Sequence, residues 1–141
     1  MTQEDKNLLI QDIASRLLYG VRCSFGVDDA IYQIEGINPN CCGASQIQAT
    51  HIDSHFNGDF NIDALHLYLF PLSSMTDEQK KELRQLHMIH EEFGGFLGIP
   101  NVFISHSGCL AYIDWCVKNH FDYRGLIPRG IAKDATNKNI Y

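Results

Sequence analysis

Apolar residues recur at helical spacing along the first stretch of the chain. Leu9, Ile10, Ile13 and Leu17 share one stripe between Thr2 and Leu18, and Thr2 with Asp5 three positions on has the form of a capping box. Gly20 ends this helix. Two short runs rich in β-branched and aromatic residues follow, Val21 to Phe25 and Ala30 to Ile37. Gly26, Asp28 and Asp29 between them are a turn signal, so the pair reads as a hairpin. Asn38 to Ser45 consists of turn formers and small residues and reads as a loop. A third strand is expected over Gln46 to Asp53, then a second loop over His55 to Asp63. Ala64 to Phe70 alternates most cleanly, with Leu65, Leu67 and Leu69 on one side and His66, Tyr68 and Phe70 on the other.

Pro71 closes that strand, and Thr76 caps an acidic first turn of a helix that directs Leu83, Leu86, Ile89 and Phe93 inward before Gly94 and Gly95. Val102 to Ile104 suits a short strand, and Cys109, Leu110, Ile113, Cys116 and Val117 form the stripe of a third helix, with Trp115 off its centre. The tail from His120, broken by Gly125, Pro128 and Gly130, is expected to be irregular. This order lacks the regular βαβ alternation of a parallel sheet. It predicts one α+β domain over residues 1–141, a small antiparallel sheet of about four to five strands with about three helices packed on it.

Composition narrows the setting. Hydrophobic residues make up 45% and charged residues 20% of the 141, which is the composition of a chain that folds around its own core. Eleven Lys and Arg against seventeen Asp and Glu, a net charge of -6, repel a phosphate backbone, so nucleic acid is not an expected partner. The first residues, Met-Thr-Gln-Glu-Asp-Lys, are acidic where a signal peptide is basic, and no apolar run approaches the roughly 18 residues of a membrane helix. Five cysteines, with Cys41 and Cys42 adjacent, do not form a regular disulfide framework. A cytoplasmic location without membrane contact is the resulting expectation.

Four groups of residues can carry chemistry. On an extended third strand His51, Asp53 and His55 share a face, and two imidazoles with a carboxylate suit a divalent transition metal such as zinc; if the strand ends near Ile52, the same residues are a polar loop. His66 and Tyr68, with Phe70, form a face that either receives a partner or is covered by the domain itself. His87, His90 and Glu91 depart from the zincin spacing, and Cys109 near a helix start is either an activated thiol or a core residue. Tyr123 and Arg124, in Phe121-Asp-Tyr-Arg-Gly-Leu-Ile127, either recognise a carboxylate or phosphate, together with Arg129, or lock the tail through ion pairing and a positive φ at Gly125.

The passages His120 to Ile127, Asp114-Trp115 and Phe70-Pro-Leu-Ser-Ser-Met-Thr-Asp-Glu together resemble a group of small uncharacterised proteins encoded by gut bacteria and their phages. The resemblance implies a phage or mobile-element setting and carries no catalytic residues. The functional expectation is a non-enzymatic binding or interaction protein without a cofactor. It would hold a protein partner or a small anionic ligand through His66, Tyr68, Tyr123 or Arg124, with self-association as a further form of partnering. The alternative is a small hydrolase with a metal at His51, Asp53 and His55.

Overall fold

The computed structural model describes residues 1–27, 30–41, 44–87 and 106–141. Helix α1 (Gln3–Arg16) opens on the expected capping box, in which Thr2 Oγ1 accepts the Asp5 N–H at 3.1 Å and the Asp5 carboxylate accepts the Thr2 N–H at 3.3 Å. A single 3-10 turn, Leu17–Tyr19, leads to Gly20, whose φ of +68° places it in the left-handed region that ends a helix. Among the described residues the strands are β1 (Arg22–Phe25), β2 (Tyr32–Cys41), β3 (Ala44–His51), β4 (Asn57–Asn61), β5 (Leu65–Leu69) and β6 (Ala132–Asp134), and the further α-helices are α2 (Asp77–His87) and α3 (His106–Lys118).

The sheet has the order β4-β3-β2-β1-β5-β6. Every pairing is antiparallel except β5 with β6, which is parallel, so the α+β class holds while the sheet is mixed and six-stranded instead of purely antiparallel with four to five strands. Two of the differences have a common cause. In the first expected loop, residues 38–41 and 44–45 extend the β2–β3 pairing with register shifts after Ile34 and Asn38, and Asn57–Asn61 forms β4 inside the second expected loop. Both segments are rich in turn-forming residues, yet each lies beside a strand that satisfies its backbone groups, and that pairing overrides local propensity. The third strand ends at His51, two residues short of expectation. The short strand expected over Val102 to Ile104 lies outside the described residues.

The main core follows the leucine side of β5. Leu65, Leu67 and Leu69 are fully buried with Cys23, Ile34, Ile47 and Ala49 against Leu9 and Ile13 of α1. Full burial of a leucine is worth about 1.5–3 kcal/mol, so this layer dominates stability. Beyond α1, Phe25 stacks on Phe60 at 4.1 Å and Tyr32 meets His51 edge-on at 5.0 Å. A second cluster joins Leu83 of α2 to Tyr112, Trp115 and Cys116 of α3 and to Phe121. The buried face of α3 is thus rotated from the expected stripe: Trp115 is buried, whereas Leu110 is 61% exposed. α2 starts on a reciprocal cap, Gln79 N–H to Thr76 Oγ1 at 3.2 Å and Thr76 N–H to Gln79 Oε1 at 2.9 Å. No helix among the described residues is long and apolar enough to cross a membrane.

The C-terminal segment is more ordered than its composition suggests. α3 ends in a Schellman motif: the Phe121 N–H donates to Cys116 O at 2.8 Å and the His120 N–H to Val117 O at 3.3 Å, with His120 at φ +59°. The chain then pairs with Phe70, His120 O accepting the Phe70 N–H at 2.9 Å, before returning as β6 beside β5. Ala135 and Ile140 lie over Tyr68, and the Tyr141 hydroxyl donates to Tyr68 O at 2.7 Å.

Candidate functional site

Among the four groups singled out in the sequence, the His51 strip resolves into a turn and the His66, Tyr68, Phe70 side into a covered strand face, while His90 and Glu91 of the third lie outside the described residues. After His51 the chain turns: the His55 N–H donates to His51 O at 2.9 Å and His55 adopts φ +55°. The His51 ring meets Tyr32 edge-on, its Nδ1 accepting the Ser54 N–H at 3.0 Å, which puts the ring hydrogen of the neutral form on Nε2. Asp53 and His55 are exposed turn residues. His51, Asp53 and His55 therefore do not share the face of one extended strand, because β3 loses its pairing partners at His51. His51 and His55 still border one cavity of about 230 Å³, together with Arg22, Gln33 and Glu35. Among the described residues no three His, Cys, Asp or Glu side chains approach closely enough to hold a metal ion.

The His66, Tyr68, Phe70 side of β5 is covered by the domain. Tyr68 is 1% exposed beneath Ala135 and Ile140, with the ammonium groups of Lys138 and Lys133 over its ring at 5.3 and 5.8 Å. The expectation that Tyr68 faces a partner is thereby corrected: the tail supplies the apolar cover that the strand needs on its second side. His66, opposite Ser24 on β1, is half-buried, with its Nδ1 unpaired among the described residues. The Cys109 side chain is partly buried at the first turn of α3. His90 lies outside the described residues.

The fourth group, around Tyr123 and Arg124, is built on a buried ion pair that local patterning does not single out. Asp12 and Arg16 are one turn apart on the inner face of α1, and both are fully buried. Arg16 Nε donates to Asp12 Oδ2 at 2.7 Å and its Nη2 to Oδ1 at 3.2 Å. The rest of its fork reaches the end of α3: Nη1 lies 3.4 and 3.3 Å from the carbonyls of Cys116 and Val117, and Nη2 donates to Phe121 O at 2.8 Å. One guanidinium thus satisfies Asp12 and adds a further donor to carbonyls at a helix C-terminus, where positive charge is favoured. The position of Asp12 and Arg16 on the Leu9–Ile13 stripe was the available sign that they point inward.

Arg124 sits on the outside of this pair. Its Nε is 3.3 Å from Asp12 Oδ1, close enough for an ion pair though not aligned as a hydrogen bond, and its guanidinium lies over the Tyr123 ring at 4.9 Å. The side chain is 27% exposed, and among the described residues no acceptor meets its terminal N–H groups. Asp122, by contrast, is committed to the backbone, its two oxygens accepting the N–H groups of Leu126 and Ile127 at 2.8 Å each. Gly125 between them takes φ +73°, as the lock reading required. Arg129 is committed as well, to Asp5 at 3.2 Å and Glu4 at 3.5 Å on the first turn of α1. Arg124, Tyr123 and Gly125 border a cavity of about 450 Å³ whose apolar walls are Pro71, Leu72, Ile127 and Pro128. A volume of this size falls within the range of small-molecule sites.

Beside this site His120 is buried and its ring stacks on Tyr141 at 3.8 Å. Burial, helped by the positive charge of Arg16 and opposed by the Tyr19 backbone, holds its pKa down to about 4. His120 is therefore a neutral packing residue near pH 7. Burial likewise pushes the Cys23 thiol well up and the Cys116 thiol up to about 11. No protein-family model matches the chain, and no curated protein or solved structure is significantly similar to it.

Proposed function

We propose that this protein is a non-enzymatic binding protein and that the groove at Tyr123 and Arg124 receives the anionic group of its ligand. The observation that carries this is the division of labour between two arginines. Arg16 spends its whole fork on Asp12 and the carbonyls of Cys116, Val117 and Phe121, which leaves Arg124 paired with the same carboxylate through Nε and bordering the cavity, its terminal N–H groups without an acceptor among the described residues. A planar guanidinium held over an aromatic ring and anchored through Nε is ordered before a ligand arrives, and it presents two parallel donors to a planar oxyanion. Asp122, the acid beside it, is tied to two backbone N–H groups, so the local chemistry supports holding a ligand more than transforming one. The resemblance of residues 70–78, 114–115 and 120–127 to small phage and gut-bacterial proteins adds an accessory role in such a setting to this reading.

The test is a titration of the protein with acetate and with inorganic phosphate, followed through the backbone amide resonances of Gly125, Leu126 and Ile127. Saturable shifts of these amides that vanish in Arg124→Gln, while Arg124→Lys retains a weaker response, are the expected result. Unmoved amides with both anions would overturn the reading.

A further inference from the structure

The geometry points to a more specific ligand, an amphipathic monocarboxylate: one carboxylate on Arg124 and a branched or aromatic hydrocarbon body against Pro71, Leu72, Ile127 and Pro128. This rests on the anion-binding reading above and narrows it through charge and shape.

Charge sets the number of negative groups. Arg16 and Arg124 bring two positive charges to the cluster, and Asp12 and Asp122 bring two negative ones, so the groups balance before any ligand binds. The Asp12 carboxylate is shared between both arginines, and Asp122 borders the cavity itself. One ligand carboxylate can meet the outer edge of Arg124, whereas a dianionic phosphate would place a second charge near Asp122 with no further cation to receive it. Among the described residues the cavity is bordered by no other Lys, Arg or His. Phosphate sites, by comparison, gather several cationic or backbone N–H donors, and here the N–H groups of Leu126 and Ile127 are already taken by Asp122.

Shape sets the rest of the molecule. Two prolines and two branched aliphatic side chains form walls that offer no side-chain donor or acceptor, and the prolines stiffen both loops that carry them. The cavity of about 450 Å³ exceeds what a bare carboxylate fills, so its occupant needs an apolar body to displace water from those walls.

Binding of acetate, 3-phenylpropionate, 3-phenylpropionamide and phenyl phosphate, measured at pH 7.5 by the same amide shifts, tests this. The expected order places 3-phenylpropionate at least about tenfold tighter than acetate, than its neutral amide and than phenyl phosphate. Arg124→Gln should erase the preference for the acid over the amide, with an unchanged amide spectrum elsewhere reporting a folded protein. If phenyl phosphate binds as tightly as 3-phenylpropionate or tighter, the monocarboxylate assignment falls while the anion-binding function stands. Equal binding of acid and amide overturns the assignment as well, since the arginine then contributes nothing. If none of the four moves the amides, the assignment and the function fall together.

Discussion

Asp12 and Arg16 carry a large part of the stability at the residue scale, as a charged pair inside the core. Each is fully buried, and removing one leaves the other in the core without the partner that meets it most closely. Arg16→Met should lower the unfolding free energy by about 3–5 kcal/mol, and Asp12→Asn by a smaller amount because Asn still accepts from Arg16. Urea titration checks both, and a loss below about 1 kcal/mol for Arg16→Met would contradict the buried pairing. His120 makes a different residue-scale prediction. Its pKa falls from the ordinary 6.5 in the unfolded chain to about 4 in the native state, so the unfolded chain takes up a proton first as pH drops. Its contribution to stability is complete above pH 6.5 and is lost progressively down to about pH 4. His120→Asn keeps a residue that accepts φ +59° and removes the titration, so the slope of stability against pH between those values should flatten relative to the parent protein.

The elements are held together by the segment after α3 as much as by the helices. Tyr141 stacks on His120, approaches Phe70 with ring centroids 5.9 Å apart, and donates to Tyr68 O, while Arg22 donates to Ile140 O from β1. These contacts close the side of β5 that α1 does not reach. Tyr141→Leu keeps some apolar cover but loses the stack and the hydrogen bond. It should lower stability by about 2 kcal/mol and raise amide hydrogen exchange in β5 and β6, with β3 and β4 little changed. Uniform acceleration across all six strands would show instead that the segment has no separate role.

For the molecule as a whole, the two buried thiols among the described residues report on global integrity. Cys23 lies in the α1–sheet core and Cys116 in the α2–α3 cluster, and burial raises both thiols away from the reactive thiolate form. With a thiol reagent at pH 7.5, both should be blocked in the native state and modified at a common rate that follows unfolding in urea. Modification of Cys116 well before Cys23 would mean that the α2–α3 cluster opens separately from the sheet.

Where a local pattern carried its own physical cause, the sequence was enough. The capping box at Thr2 and Asp5, the helix stop at Gly20, the leucine alternation of β5 and the positive φ of Gly125 all rest on interactions within a few residues. Net charge and hydrophobic content likewise belong to the chain itself. The tertiary structure decided what depends on distant neighbours. β4 is an edge strand of Asn57-Gly-Asp-Phe-Asn that becomes a strand only beside β3, and β6 is three residues that pair with β5 from far along the chain. Tyr68 proved to be interior because Ala135 and Ile140 cover it, and the His51, Asp53, His55 strip became a turn because β3 runs out of pairing partners at His51. The candidate site divides in the same way. Tyr123, Arg124 and Gly125 were legible as a motif, but only folding brings Arg16 to the end of α3, fills its fork, and leaves Arg124 facing the cavity.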